Sequence, residues 1–356
     1  MKKHVITASL VLSAVLLSGC AGSAGAATTS ASPSPGTPVS PSSRAATVLD
    51  YYPIRENVRY VYEGTGNEFA SFSVYLDYAT GTRMQQRIEN GATVTASVVE
   101  VADGKVTCLA SRGEAYAREN LLDAADGGGE VLLMEPIASG TSWKLSDGST
   151  RTITGVSVDV DTPAGGFSSV RVTTVGADGE TTDYYADGVG LVKWVSTGEG
   201  YEVSSSLSEL QQDAAYPATV RFYYPNLNEN KLYYKDKTLS FKTNDVTRKV
   251  LEDAYKEPVS DDVGLVFTEK VKINSFYLNG DGMVYLDLGK EFVTGMNAGS
   301  GYEAMVLQCV ANTFGTYYGA DKVVLTIDGG AYESGHIRLD KGDYLTVSTQ
   351  GSIEIT

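Results

Sequence analysis

From Tyr51 to about Leu210, apolar and polar residues alternate with a period of two. Segments such as FASFSVYLDYAT, RMQQRIENG, ATVTASVVEVADGKVTCLA, TTDYYADGVGLVKWVS and GYEVSSSLSEL are rich in Val, Thr, Ile and Tyr, residues that suit a pleated, half-buried surface. The turn pairs Asn90-Gly91, Asp103-Gly104, Gly165-Gly166, Asp178-Gly179 and Asp187-Gly188 separate them. Such spacing predicts an antiparallel β-meander over residues 48–212, an open or partial barrel or a strongly twisted sheet. Only YARENLLDAAD, residues 116–126, reads as helical there.

The rhythm changes at LQQDAAYPA, residues 210–218. TVRFYYP and KLYYKDKTLSFKT read as strands. NDVTRKVLEDAYKEP then sets Val246, Val250, Leu251, Ala254 and Tyr255 on one helical face, with Asn244 or Asp245 available as cap and Pro258 as stop. KVKINSFYLNGDGMVYLDL predicts a hairpin turning over Asn279-Gly280-Asp281-Gly282. A second helix follows over about 301–318, then a strand over 323–327, and YLTVSTQGSIEIT offers a last strand. Residues 213–356 therefore predict a small α+β sandwich, two helices on one face of a mixed sheet.

The second helix carries the most conspicuous chemistry. Ser300-Gly301-Tyr302-Glu303 has the S-x-x-E spacing of a capping box, in which Ser300 and Glu303 each satisfy the other's amide. Tyr302, Met305, Val306, Cys309, Val310, Thr313 and Tyr317 recur every three or four positions, so the Cys309 thiol reads as core filler. Gly319 supplies a left-handed stop.

The start of the chain bears on location. Lys2 and Lys3 precede an apolar run, Val5 to Leu17, too short to span a bilayer. The run ends in Leu17-Ser18-Gly19-Cys20, which resembles the lipobox of bacterial lipoproteins. That resemblance implies a signal peptide over 1–20, cleavage after Gly19, acylation of Cys20 and a lipid anchor on the extracytoplasmic face of the cell membrane. Residues 21–47, rich in Ala, Ser and Pro, predict a flexible linker.

Losing the signal peptide's two lysines from 28 basic side chains leaves 26 against 44 acids, a formal charge of −18. A surface of that sign repels nucleic acid, so no nucleic-acid partner is expected. The mature chain keeps Cys108 and Cys309, one in each predicted domain, and a single histidine, His336. Triads and multi-histidine zinc sites thus have almost no residues to draw on. No cofactor and no metal is predicted.

KINSFYLNGDGMVYLDLGKEFV, then GSGYEAMVLQCVANTF, then ADKVVLTIDGG together resemble the GerMN domain of sporulation and spore-germination lipoproteins, over about residues 218–335. The shared pattern is a Val-Tyr-Leu-Asp strand end, a Gly-x-x-Glu helix opening, an Asn-Thr-aromatic helix end and a Lys-Val strand closing in Asp-Gly. Thr313-Phe314-Gly315-Thr316-Tyr317 departs from the family's usual helix end. The resemblance implies a non-catalytic module that assembles with itself, with other envelope proteins or with peptidoglycan.

Rival chemistries are weighed against it. Carboxylate pairs could hydrolyse glycan without histidine, and Asp281, Asp287, Glu291 and Glu303, or Asp159 and Asp161, are the candidates. Each has an architectural role open to it: turn, strand end, helix opening, cap or solvated face. Asp123, Asp126 and Glu130 fit no defined calcium loop. DYYPIRENVRYVYEG and RFYYPNLNENKLYYK mix aromatics with Asn and Arg as glycan-binding surfaces do, and a curled sheet could shelter a lipid chain in its concave face.

Overall fold

The computed structural model describes residues 44–123, 129–176, 179–296 and 299–355. The lipobox residues Leu17, Ser18, Gly19 and Cys20, the linker as far as residue 43, and Asp126 lie outside them.

The alternating half of the chain forms one antiparallel sheet of twelve strands. These are β1 (Arg59–Thr65), β2 (Phe72–Ala79), β3 (Arg83–Glu89), β4 (Val94–Ala102), β5 (Lys105–Arg112) and β6 (Glu130–Met134). Then come β7 (Ser142–Lys144), β8 (Thr150–Thr162), β9 (Gly165–Val175), β10 (Glu180–Ala186), β11 (Gly190–Gly198) and β12 (Tyr201–Gln211). The order β6-β5-β4-β3-β2-β1-β12-β11-β10-β9-β8-β7 is a meander folded back so that the first strand pairs with the last.

The ladder does not close between β6 and β7 among the described residues; side chains span the seam instead. Trp143 Nε1 on β7 and Arg151 Nη1 on β8 both donate to the Val131 carbonyl of β6, at 2.9 and 3.1 Å. Arg151 also pairs with Glu130 at 3.0 Å. A short helix, α1 (Val48–Tyr51), precedes the sheet. Its Asp50 carboxylate accepts from both the amide and the hydroxyl of Thr47.

The predicted helix at 116–126 is not formed over its described part, 116–123. Arg118 explains why: its guanidinium donates to the carbonyls of Asp77, Lys242 and Asp245 and to the hydroxyls of Tyr78 and Thr247. Those tertiary bonds need an irregular backbone that carries the side chain beneath the sheet, and they outweigh a weak local propensity.

Two smaller sheets follow. β13 (Tyr216–Asn226) pairs antiparallel with β14 (Lys231–Phe241). The helix α2 (Thr247–Lys256) leads to the hairpin β15 (Ile273–Leu278) and β16 (Val284–Leu288). After a single turn, α3 (Glu291–Thr294), the long helix α4 (Ser300–Tyr318) runs into β17 (Lys322–Ile327), parallel to β16. Short strands β18 (Gly330–Ala331), β19 (Leu345–Thr346) and β20 (Ile353–Glu354) finish the edges. Gly319 ends α4 at φ 66°, the left-handed stop that its position predicts.

Tyr255 of α2 sits at the centre of this second core. Its ring centroid lies 5.0 Å from Phe222, 4.8 Å from Phe267 and 6.0 Å from Phe314. Its hydroxyl donates to the Tyr223 carbonyl and accepts from Thr313, so no polar atom is wasted. Pro258 acts as predicted: Glu257 before it is extended, at ψ 124°, and the helix stops.

Both helix openings correct the expected caps. At α2 the N-cap is Val246 with no side-chain cap bond; the Asn244 carbonyl oxygen accepts instead from the Ala79 amide of β2, and Asp245 accepts from Lys242. At α4 the N-cap is Gly299, and Ser300 is already the first helical residue. The predicted box is one residue out of register, and Glu303 turns away from it.

Candidate functional site

Glu303 is 2% exposed. Its Oε1 accepts from the hydroxyls of Tyr332 and Ser334, which tie α4 to the segment after β18. Tyr332 is itself fully buried, and burial together with this carboxylate raises its pKa. Asp287 accepts from Asn274 Nδ2 at 2.9 Å, Thr326 Oγ1 at 2.6 Å and the Gly329 amide at 2.8 Å, knitting β15, β16 and β17 together. Asp281 accepts from the Met283 amide and the Tyr285 hydroxyl across the hairpin turn. Glu291 opens α3, while Asp159 and Asp161 are exposed.

Glu303, Asp287 and Asp281 thus hold helix, strands and turn together. Cys309 is fully buried, and that burial drives its thiol well above the usual range. Cys108 is free and half-buried, its pKa raised by burial and then by Glu130. His336 is exposed. Among the described residues no three His, Cys, Asp or Glu side chains gather as a metal site. No helix among them is long and apolar enough to cross a membrane.

A second constellation was not read from the sequence. Asp77, fully buried on β2, accepts from Arg87 Nε at both carboxylate oxygens, with Arg87 Nη2 at 2.8 Å and Arg118 Nε at 3.5 Å. The Arg118 guanidinium stacks over Tyr78 and Phe241, 4.1 and 5.1 Å from their centroids. The loop between β14 and α2 lies against it, with Thr243 bonding the Leu76 carbonyl and Asn57. One acid and two arginines therefore lock the twelve-stranded sheet to the elements after it. The alternation of β2 hides this, because both its faces are buried.

The opposite face of the same strands is apolar. Phe72, Val74 and Leu76 of β2, with Met84 and Ile88 of β3 and Tyr62 of β1, wall a cavity of about 370 Å³ inside the curled sheet. Tyr62 stacks on Phe72 at 4.4 Å. The tyrosines that suggested a glycan surface are spent here and in the other core: Tyr60 and Tyr62 line the cavity, and Tyr223 and Tyr224 are fully buried.

Comparison with known proteins finds matches within the second half. A family described as "Germane: Sporulation and spore germination" matches residues 221–333. The tandem GerMN domains of the sporulation protein GerM from Bacillus subtilis are 21% identical, over 37% of this chain and 46% of that one, with a TM-score of 0.29. The chain thus covers less than half of that tandem structure. The first GerMN domain of the same protein is 22% identical, over 35% of this chain and 99% of that one, with a TM-score of 0.27. No curated protein matches the chain.

Proposed function

Proceeding from a GerMN-type domain over residues 221–333, we propose that the chain is an envelope protein of spore formation or germination, held on the extracytoplasmic face through lipidated Cys20. Its GerMN-type domain works there as a non-catalytic assembly or binding module. The observation that carries this reading is that the domain's conspicuous acids and thiol are occupied by architecture, which leaves surfaces to do the biology.

The outer strand β15 is the best such surface. It ends the order β15-β16-β17-β18, and Tyr277 and Leu278 on it are 46% and 39% exposed. An edge of this kind pairs readily with another chain. A photo-crosslinking residue at position 277, in sporulating cells, should trap a discrete protein neighbour or a second copy. Peptidoglycan hydrolysis by the purified chain, abolished by Glu303→Gln or Asp287→Asn, would overturn the non-catalytic reading. Cys20→Ala should release the protein from membranes, and continued sedimentation with them would remove the anchor.

A further inference from the structure

The cavity inside the twelve-stranded sheet lies outside the residues that match the family, and its chemistry can be read independently. Apart from Tyr185, whose hydroxyl has no hydrogen-bond partner among the described residues, its polar lining side chains have partners within the protein. The Tyr52 hydroxyl donates to Gln86 Oε1, and the Tyr62 hydroxyl to the Leu191 carbonyl at 2.8 Å. Ser97 pairs with Ser111, and Asn90 accepts from the amides of Ala92 and Thr93. Among the described residues that line it, none carries a charge.

A sugar or peptide entering this space would lose its water and find few free donors or acceptors, a cost that apolar contact does not recover. An anion would find no cation in the walls and a chain of net charge −16 around it. A flexible apolar chain gives up no hydrogen bonds to water on entry, and ring faces and branched aliphatics suit it. At about 370 Å³ the cavity is at the small end of ligand pockets. With roughly 30 Å³ per heavy atom, as for liquid water, it holds on the order of a dozen chain atoms. Phe69, also on its wall, is 47% exposed and marks where the cavity reaches solvent.

We propose that the concave face of the sheet binds one acyl chain of a single-chain amphiphile whose head group is uncharged or zwitterionic and stays outside. Cys108 lines the cavity and serves as a reporter, while the fully buried Cys309 stays silent. The test is the rate at which N-ethylmaleimide alkylates Cys108 in the full-length chain, read by peptide mass spectrometry, with dodecylphosphocholine added below its micellar concentration. Alkylation should slow at least tenfold, less with hexylphosphocholine, and not at all with phosphocholine or maltohexaose.

Calorimetric titration of dodecylphosphocholine into Ile88→Trp and Val189→Trp, both filling the cavity, should show binding lost from chains whose near-ultraviolet dichroism stays native. Two variants are used so that one misfolding leaves the other to decide. Protection independent of chain length, protection by maltohexaose, or undiminished binding in the folded variants overturns the proposal. None of these results bears on the GerMN-type domain, so the two readings stand or fall separately.

Discussion

The two halves of this chain solve the same burial problem in opposite ways. The α+β part fills its interior: α4 is buried through its middle from Val306 to Gly315 apart from Gln308, and the rings of Tyr255, Phe267 and Phe314 meet at its centre. The twelve-stranded sheet curls around a space that its own side chains leave open. The difference follows from element type. A helix laid on a sheet brings a second set of side chains into the gap, whereas a sheet curled on itself must fill its interior from its own alternate positions. Here the walls are apolar and the gap persists.

Breaking the joint between the halves should have the largest effect. Asp77→Ala strands two buried guanidiniums, Arg87 and Arg118, each 1% exposed as a side chain. A loss of about 3–5 kcal/mol is expected in urea unfolding, with new proteolytic cleavage between β12 and β13. Retention of native stability would mean that the clamp is ornamental.

Truncating one ring in each half sharpens the contrast. Phe314→Ala, in the filled core, should cost about 3–5 kcal/mol. Phe72→Ala faces a space that is already empty and should cost about 1 kcal/mol, because no new cavity has to be made. Equal losses in the two would erase the distinction between a filled and a hollow interior.

A third prediction concerns the seam. Asp183 on β10 is 7% exposed, and burial pushes its pKa from 3.8 up to about 6 despite Arg151, with Glu130 adding to the rise. Above pH 6 the carboxylate is ionised in both folded and unfolded chains, and only the folded chain suffers its desolvation. The penalty fades as pH falls from about 6 towards 3.8, below which the group is neutral in both states. Asp183→Asn should therefore stabilise by on the order of 2–3 kcal/mol at pH 8, and by nearly nothing at pH 4. Parallel urea titrations at the two pH values check it; an equal gain at both would assign the effect to packing.

An effect as small as that of Phe72→Ala is expected at the residue that looked most like a reagent. Glu303→Gln keeps an oxygen to accept from Tyr332 and Ser334, so thermal unfolding should register a loss of about 1 kcal/mol. A loss several times larger would point to a charge the fold depends on.

What the sequence revealed depended on distance along the chain. Strands β2 to β5 and β8 to β12 were legible because alternation and turn pairs such as Asp103-Gly104 act within a few residues. Gly319 and Pro258 were legible for the same reason. Glu303 was misassigned because its partners lie 29 and 31 positions away, while a local pattern offered a nearer explanation. The local box that does form, Thr47 with Asp50, is shorter in reach and carries Asp where Glu is usual. Arg118 was hidden in helix-favouring neighbours, since its five acceptors come from two distant segments, at Asp77–Tyr78 and over residues 242–247. The inward set of the sheet could be listed from alternation, but whether that set fills its interior depends on how far twelve strands curl.

The decisive measurement is the sporulation or germination phenotype of cells whose only copy carries both Glu303→Gln and Asp287→Asn, at matched abundance and with native dichroism. If the GerMN-type domain works through its surfaces, these cells behave as the parent does and the crosslink from position 277 is retained. A folded, abundant double variant that keeps the crosslink and loses the phenotype would show that the carboxylates act on a substrate, and the architectural reading would fall.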